Sequence, residues 1–220
     1  MASLEEAKVL LEEGWKAREA LDFDTAREKL TKSRETFEKA GDFRLVTEAL
    51  NHLAYTEKLA AGQSANLALK LAKESENIAE KNNIDPILTY RAIISTAETA
   101  GLFEVSLKYA EKILPLLQKP ILKGDLYAHI ASLELRTGKL EQAGETIGKS
   151  LLLIEEGWDS EREPHRSIWK LKTMITQALI AYNMGNKTEA METFHNARQI
   201  ALEQDLKPRL AQIEILIDSL

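Results

Sequence analysis

The chain has 220 residues and contains 35 acidic against 29 basic side chains, which gives a formal net charge of −6. An acidic chain does not suit a partner made of phosphates, so nucleic acid is not expected. The sequence contains no cysteine, which excludes disulfides, thiolate catalysis and cysteine-ligated zinc. There is no uncharged apolar run long enough for a bilayer and no secretory signal at the N-terminus, so we expect a cytoplasmic protein without a membrane partner.

Five turns recur along the chain at intervals of about 37 to 47 residues, the sequence signature of a repeat protein. The turns are centred near Leu21, Gly62, Gly101, Gly138 and Gly185. An apolar or small residue follows each turn by five positions, namely Ala26, Leu67, Ser106, Ala143 and Ala190. The same helix pair is therefore predicted to repeat.

The first predicted helix carries apolar residues at helical spacing over residues 4–20. A second helix follows at once, with Asp24 as its expected N-cap and Gly41 as its end. The next pair turns at Gly62-Gln63-Ser64 and ends at Asn82-Asn83.

Prolines mark the starts of the later pairs. Pro86, Pro120, Pro164 and Pro208 all stand where a first helix is expected to begin. The predicted pairs are residues 2–41, 42–83, 84–119, 120–158 and 163–206, followed by a terminal helix at 207–220. Because that helix is apolar on one face, we expect it to cap the fifth pair, with any excess apolar surface available for a homodimer.

The turn sequences resemble those of tetratricopeptide repeat (TPR) proteins. Residues 138–143 and 185–190 are similar to the Gly-x-Tyr-x-x-Ala turn of that family. Phe23 and Phe103 fit its turn aromatic. The small residue of its first helices is matched by Gly14, Ala131 and Ala178. The intervals are longer than the family's, pair two is shifted by about one residue after its turn, and the Trp-x-x-Leu-Gly signature is absent. The resemblance implies an all-α superhelix of about five antiparallel pairs in a single domain, 1–220, that acts by binding protein.

Two motifs resemble a nucleotide-binding loop and a catalytic serine arrangement, but each lacks residues or a structural context that such a site needs. Gly148-Lys149-Ser150 ends like a phosphate-binding loop, but Ala143 stands where the first glycine is needed and the segment reads as a helix. Asp125, His129 and Ser132 share one face without the strand-turn-helix elbow that a nucleophilic serine uses. We therefore expect no enzyme activity, no catalytic residue, no metal and no cofactor.

The resemblance places the first helix of each pair on the inner, concave surface. Register from the turns then gives a set of polar and aromatic candidates for binding a peptide or protein segment: Lys8, Trp15, Arg18, His52, Thr56, Arg91, Ser95, Glu98, Asp125, Ser132, Arg136, Lys172, Tyr182 and Asn183. Arginine pairs with carboxylates through two donors, so acidic groups suit the arginines of this set.

Two hypotheses of function remain open from the sequence. The first is a protein-interaction scaffold or adaptor that takes a segment of its partner in the groove. The second is a structural or self-associating module that assembles through its end faces, because repeat arrays expose their terminal repeats.

Overall fold

The computed structural model describes residues 3–60 and 65–220 and is all-α over that part of the chain. Eleven α-helices and no strand are present in these residues, as the periodicity predicts. The chain divides into two compact units, Met1–Ile113 and Leu114–Leu220. Helices stack in antiparallel pairs within each unit, so the all-α, solenoid fold class is confirmed. Among the described helices none is both long and apolar enough to cross a membrane.

Unit 1 contains three helix pairs. Its helices are α1 (Leu4–Glu19), α2 (Phe23–Ala40), α3 (Phe43–Leu59), α4 (Ala65–Lys81), α5 (Ile87–Thr99) and α6 (Phe103–Ile113). Each first helix packs on the second helix of its pair, and α3 also contacts both α1 and α5. The first helices of this unit therefore lie side by side.

Unit 2 contains two pairs and the terminal helix. Its helices are α7 (Pro120–Arg136), α8 (Leu140–Glu156), α9 (His165–Asn183), α10 (Lys187–Glu203) and α11 (Lys207–Ser219). Short 3-10 helices cover Leu114–Leu116 and Trp158–Ser160. Contacts join α7 to α9 and α9 to α11, which repeats the side-by-side arrangement of first helices.

The turns between paired helices need a left-handed residue. Gly101, Gly138 and Gly185 have φ of 73°, 78° and 88° there. Leu21 takes the same conformation, with φ of 64°, although a Cβ makes it unfavourable. The turn predicted at Gly62 lies outside the described residues.

The N-cap expected at Asp24 is wrong. Helix α2 begins at Phe23, and Asp22 caps it by accepting a hydrogen bond of 3.2 Å from the backbone N–H of Thr25. Asp24 is the second residue of the helix, so only Asp22 precedes the helical dihedrals and can reach that N–H.

The five-residue register after the turns holds in four pairs. Ala26, Ser106, Ala143 and Ala190 are fully buried. Leu67 is 46% exposed, so its expected place in the packed face is wrong, and the neighbouring Ala68 is fully buried instead. Pair two is thus shifted by one residue after its turn, which agrees with the shift of about one residue noted in its sequence.

A serine contact recurs inside four pairs. The hydroxyls of Ser33, Ser75, Ser106 and Ser150, all fully buried on second helices, donate to first-helix carbonyl oxygens at 2.9, 3.4, 2.9 and 2.7 Å. Such a bond satisfies a buried hydroxyl while the helices approach closely. This bond sets the position of one helix relative to the other along the direction of their axes.

Helix α11 covers the end of the fifth pair, as expected. Ile213 is fully buried against α9 and α10 in a core that includes Phe194 and Leu171. An ion pair of 3.2 Å between Arg198 and Glu214 joins α10 to α11 at the surface.

Candidate functional site

The first-helix face of unit 1 is the side on which α1, α3 and α5 lie next to one another. The side chains that join α1 to α3 form the Arg18 cluster, which we define as Arg18, Glu19, His52 and Tyr55. Arg18 lies in the last turn of α1 with only 6% of its surface exposed, so its guanidinium is enclosed by its neighbours.

Three different contacts hold the Arg18 guanidinium. Its Nε and Nη2 donate to Oε1 of Glu19 at 2.9 and 2.7 Å. Its Nη1 lies 3.2 Å from Nδ1 of His52, and because arginine only donates, that histidine nitrogen is the acceptor. The guanidinium carbon also lies 5.8 Å from the ring centre of Tyr55, within the range of a cation–π contact. Arg18 therefore links α1 to α3.

A second polar link continues the face toward α5. The ammonium of Lys58 on α3 donates to the hydroxyl of Ser95 on α5 at 2.5 Å. Trp15 lies one turn before Arg18 and is half-buried, like His52 and Tyr55. Cationic, polar and aromatic groups are thus arranged from α1 to α5 across one surface.

The first-helix face of unit 2 carries a corresponding link between α7 and α9. Lys172 on α9 forms an ion pair with Asp125 on α7, and the Asp125 side chain is almost completely buried. At the start of α9, His165 stacks on Trp169 with ring centres 6.0 Å apart.

The structure places the fourteen candidates at very different depths. Lys8, Arg136 and Asn183 are exposed. Half-buried are Trp15, His52, Arg91, Ser132, Lys172 and Tyr182. Buried are Arg18, Thr56, Ser95, Glu98 and Asp125.

Thr56 does not reach the surface at all. It is fully buried, and its hydroxyl donates to the His52 carbonyl oxygen at 2.9 Å, the i−4 bond that threonine forms inside a helix. Tyr182 is half-buried and binds the Leu220 carbonyl oxygen at 2.8 Å, so part of its polar capacity is used within unit 2.

Sequence reasoning missed Glu19, Tyr55 and Lys58. Tyr55 stands three residues after the candidate His52 on α3, and Lys58 stands three residues after Tyr55, so helical spacing was an available signal. No comparable signal marks Glu19, because its contact is with the adjacent residue.

A separate polar network joins α4 to α6 in unit 1. Tyr109 donates to Glu76 at 2.5 Å, and Lys73 donates both to Glu76, at 3.0 Å, and to the Tyr109 oxygen. Burial raises the pKa of Tyr109 above its ordinary value, the bond to Glu76 raises it further, and Lys73 partly opposes the change. We interpret this network as a link between neighbouring pairs.

Gly148-Lys149-Ser150, the segment that ends like a phosphate-binding loop, lies inside α8, where the Ser150 hydroxyl donates to the Gly124 carbonyl oxygen. Within residues 3–60 and 65–220, no group of three or more histidine, aspartate or glutamate side chains is arranged to hold a metal ion.

The sequence matches no protein family and no curated protein. Among solved structures, the chain is similar to BtubC (BKLC) from P. vanneervenii, with a TM-score of 0.56 and 14% identity over 93% of each chain. It is also similar to NprR in complex with its cognate peptide NprX, at 15% identity over 98% of this chain and 73% of that one, with a TM-score of 0.48. The second score is too low to carry an inference, and the BtubC similarity shows a shared helical-repeat fold.

Proposed function

We propose that this chain is a TPR-like interaction scaffold, without enzyme activity, that binds a peptide or protein segment on its first-helix surfaces. The observation that carries the proposal is the set of polar links across unit 1, Arg18 to His52 and Lys58 to Ser95. These links hold cationic and aromatic side chains in fixed positions on adjacent first helices.

The composition of this face supports a binding role. Tryptophan, tyrosine and arginine are the residues that most often dominate binding energy at protein interfaces. Here Trp15 and Tyr55 are half-buried and Arg18 is held by three neighbours. Side chains that are already ordered lose less conformational entropy when a partner binds.

A peptide-library selection against the purified chain tests the proposal. Binding of the selected peptides is measured by fluorescence anisotropy for wild type, Tyr55→Ala and Lys58→Ala. We expect each substitution to raise the dissociation constant about tenfold, the effect of losing an interface anchor.

The matched control is Lys32→Ala, which removes an exposed lysine from the second helix α2. It should leave the dissociation constant unchanged. The proposal is wrong if no peptide is selected, or if Lys32→Ala weakens binding as much as the first-helix substitutions.

Self-association through α11 is a second candidate. Ile215 is 69% exposed on the outer side of this helix, and Leu220 is also exposed. Sedimentation of wild type and Ile215→Asp tests it: a dimer that Ile215→Asp dissociates supports assembly through α11, and a monomeric wild type excludes it.

A further inference from the structure

The ion pair between Arg18 and Glu19 leaves the strongest pairing of the arginine unused. Nε and Nη2 of arginine form a fork that matches the two oxygens of a carboxylate. Both donors go to the single oxygen Oε1 of Glu19. The fork is therefore occupied, but not in the two-oxygen arrangement.

The position of Glu19 explains this geometry. Glu19 is adjacent to Arg18 in the sequence, and consecutive residues of a helix do not face each other, so Glu19 is not placed to present both of its oxygens to the fork. Its side chain stays more exposed than that of Arg18, at 19% against 8%. Glu19 is thus the more accessible member of the pair, while His52 and Tyr55 hold Arg18 from α3.

We propose that the Arg18 cluster binds a side-chain carboxylate of a bound peptide, and that an aspartate or glutamate of the partner displaces Glu19. This inference rests on the proposed function, because a segment lying on the first-helix face of unit 1 brings the carboxylate to the cluster. An untethered carboxylate can align both of its oxygens with the fork, whereas Glu19 does not. Glu19 itself becomes hydrated when displaced.

Neighbouring groups favour this exchange. The contacts with His52 and Tyr55 do not involve Glu19, so they keep the guanidinium in place when the carboxylates exchange. Trp15, three residues before Arg18, lies on the same side of α1 and offers apolar surface to the residue next to the ligand carboxylate. The cluster thus has the elements of a subsite for an acidic residue.

The test follows the Arg18 side-chain Nε–H signal by NMR during titration with a blocked peptide, acetyl-Gly-Glu-Gly-amide. The same peptide with glutamine, and acetyl-Gly-Gly-Gly with a free C-terminal carboxylate, are the comparisons. Wild type, Glu19→Gln and the control Glu12→Gln are titrated, and melting temperatures check that each variant is folded. Glu12 is an exposed carboxylate of the same helix, paired with Lys16.

We expect a saturable shift with the glutamate peptide but not with the glutamine peptide. Removing the competing carboxylate in Glu19→Gln should lower the apparent dissociation constant about threefold, the value of a modest ion pair. Glu12→Gln should behave like wild type. The inference is overturned by the absence of a saturable shift in Glu19→Gln, by an equal response to the glutamine peptide, or by tighter binding of the free-acid peptide.

Selected library peptides separate this inference from the proposed function. If the selected peptides bind wild type and Arg18→Lys equally, the proposed function stands and the carboxylate site is excluded. If the Arg18 signal shows a saturable shift but the library yields no binding peptide, the carboxylate site is supported and the proposed peptide-binding function is excluded.

Discussion

Leu21 has a left-handed backbone conformation, which is unfavourable for a residue with a Cβ. It occupies the left-handed turn position that glycine takes in three other pairs. A left-handed conformation costs an ordinary residue about 1–2 kcal/mol, part of which glycine loses again to chain entropy.

Leu21→Gly should therefore raise the free energy of unfolding by up to about 1 kcal/mol. Ala20→Gly is the control, because Ala20 has φ of −84° and gains nothing from glycine. Urea denaturation measures both variants. A Leu21→Gly protein less stable than wild type would show that the leucine side chain contributes more than its backbone loses.

Gly124 is required for a different reason, because the neighbouring helix leaves no space for a Cβ. A Cβ at this position would lie 2.9 Å from the Ile154 backbone nitrogen and 3.0 Å from the Ser150 carbonyl oxygen. Both atoms belong to the backbone of α8, so the clash is relieved only if α7 and α8 separate.

Gly124→Ala should lower the free energy of unfolding by about 1–3 kcal/mol, the usual effect of overpacking. Gly148→Ala, in an open position of α8, should instead raise it by about 0.5–1 kcal/mol through helix propensity. Thermal denaturation of the pair distinguishes the two effects. Equal melting temperatures would contradict the close approach of the helices.

At the scale of elements, two substitutions in the terminal helix α11 test whether this helix is part of the core of unit 2. Ile213 is fully buried in the end of unit 2, and Ile215 on the same helix is largely exposed. Ile213→Ala should therefore cost about 2–5 kcal/mol, the range for a large buried residue. Ile215→Ala should stay within about 0.5 kcal/mol of wild type. Comparable losses from the two substitutions, measured by chemical denaturation, would mean that α11 does not dock as described.

The α4–α6 network gives a prediction for alkaline pH. The pKa of Tyr109 is raised by its burial and by its bond to Glu76 from an ordinary value near 10. A raised folded-state pKa means that the stability from this group is complete below the unfolded pKa and is lost as the pH rises through the folded one.

The free energy of unfolding of wild type should thus fall more steeply above about pH 10 than that of Tyr109→Phe. At neutral pH the variant should be less stable by about 1 kcal/mol, because Glu76 loses a hydrogen bond. Parallel pH profiles of the two proteins would contradict the coupling. Denaturation at several pH values provides the data.

For the whole molecule, periodicity predicted the all-α repeat, because its signals are local. Turn glycines such as Gly138 and buried small residues such as Ala143 need only their neighbours in sequence to be recognised. In pair two the buried small residue is Ala68, one position after the predicted Leu67. The spacing of the turns indicated a shift of about one residue in this pair, but it did not indicate which residue would be buried.

The candidate face was less predictable, because depth depends on neighbouring helices. Arg18 and Asp125 were chosen as groove residues from register, yet contacts with Glu19 and His52, and with Lys172, enclose them. Sequence periodicity gives the side of a helix but not the partner that covers it. Thr56 illustrates the limit, since a short side chain on the predicted side lies wholly inside.

The central claim is that first helices, rather than second helices, contact the partner. Photo-crosslinking with benzoylphenylalanine in place of Lys8 on α1 or Thr99 on α5, and of Leu67 on α4 or Leu107 on α6, tests it with a library-selected peptide. All four positions are exposed, so the reporters can be reached without removing a proposed anchor. We expect crosslinks from the first-helix positions and none above background from the second-helix positions. Crosslinks confined to Leu67 and Leu107 would contradict the claim.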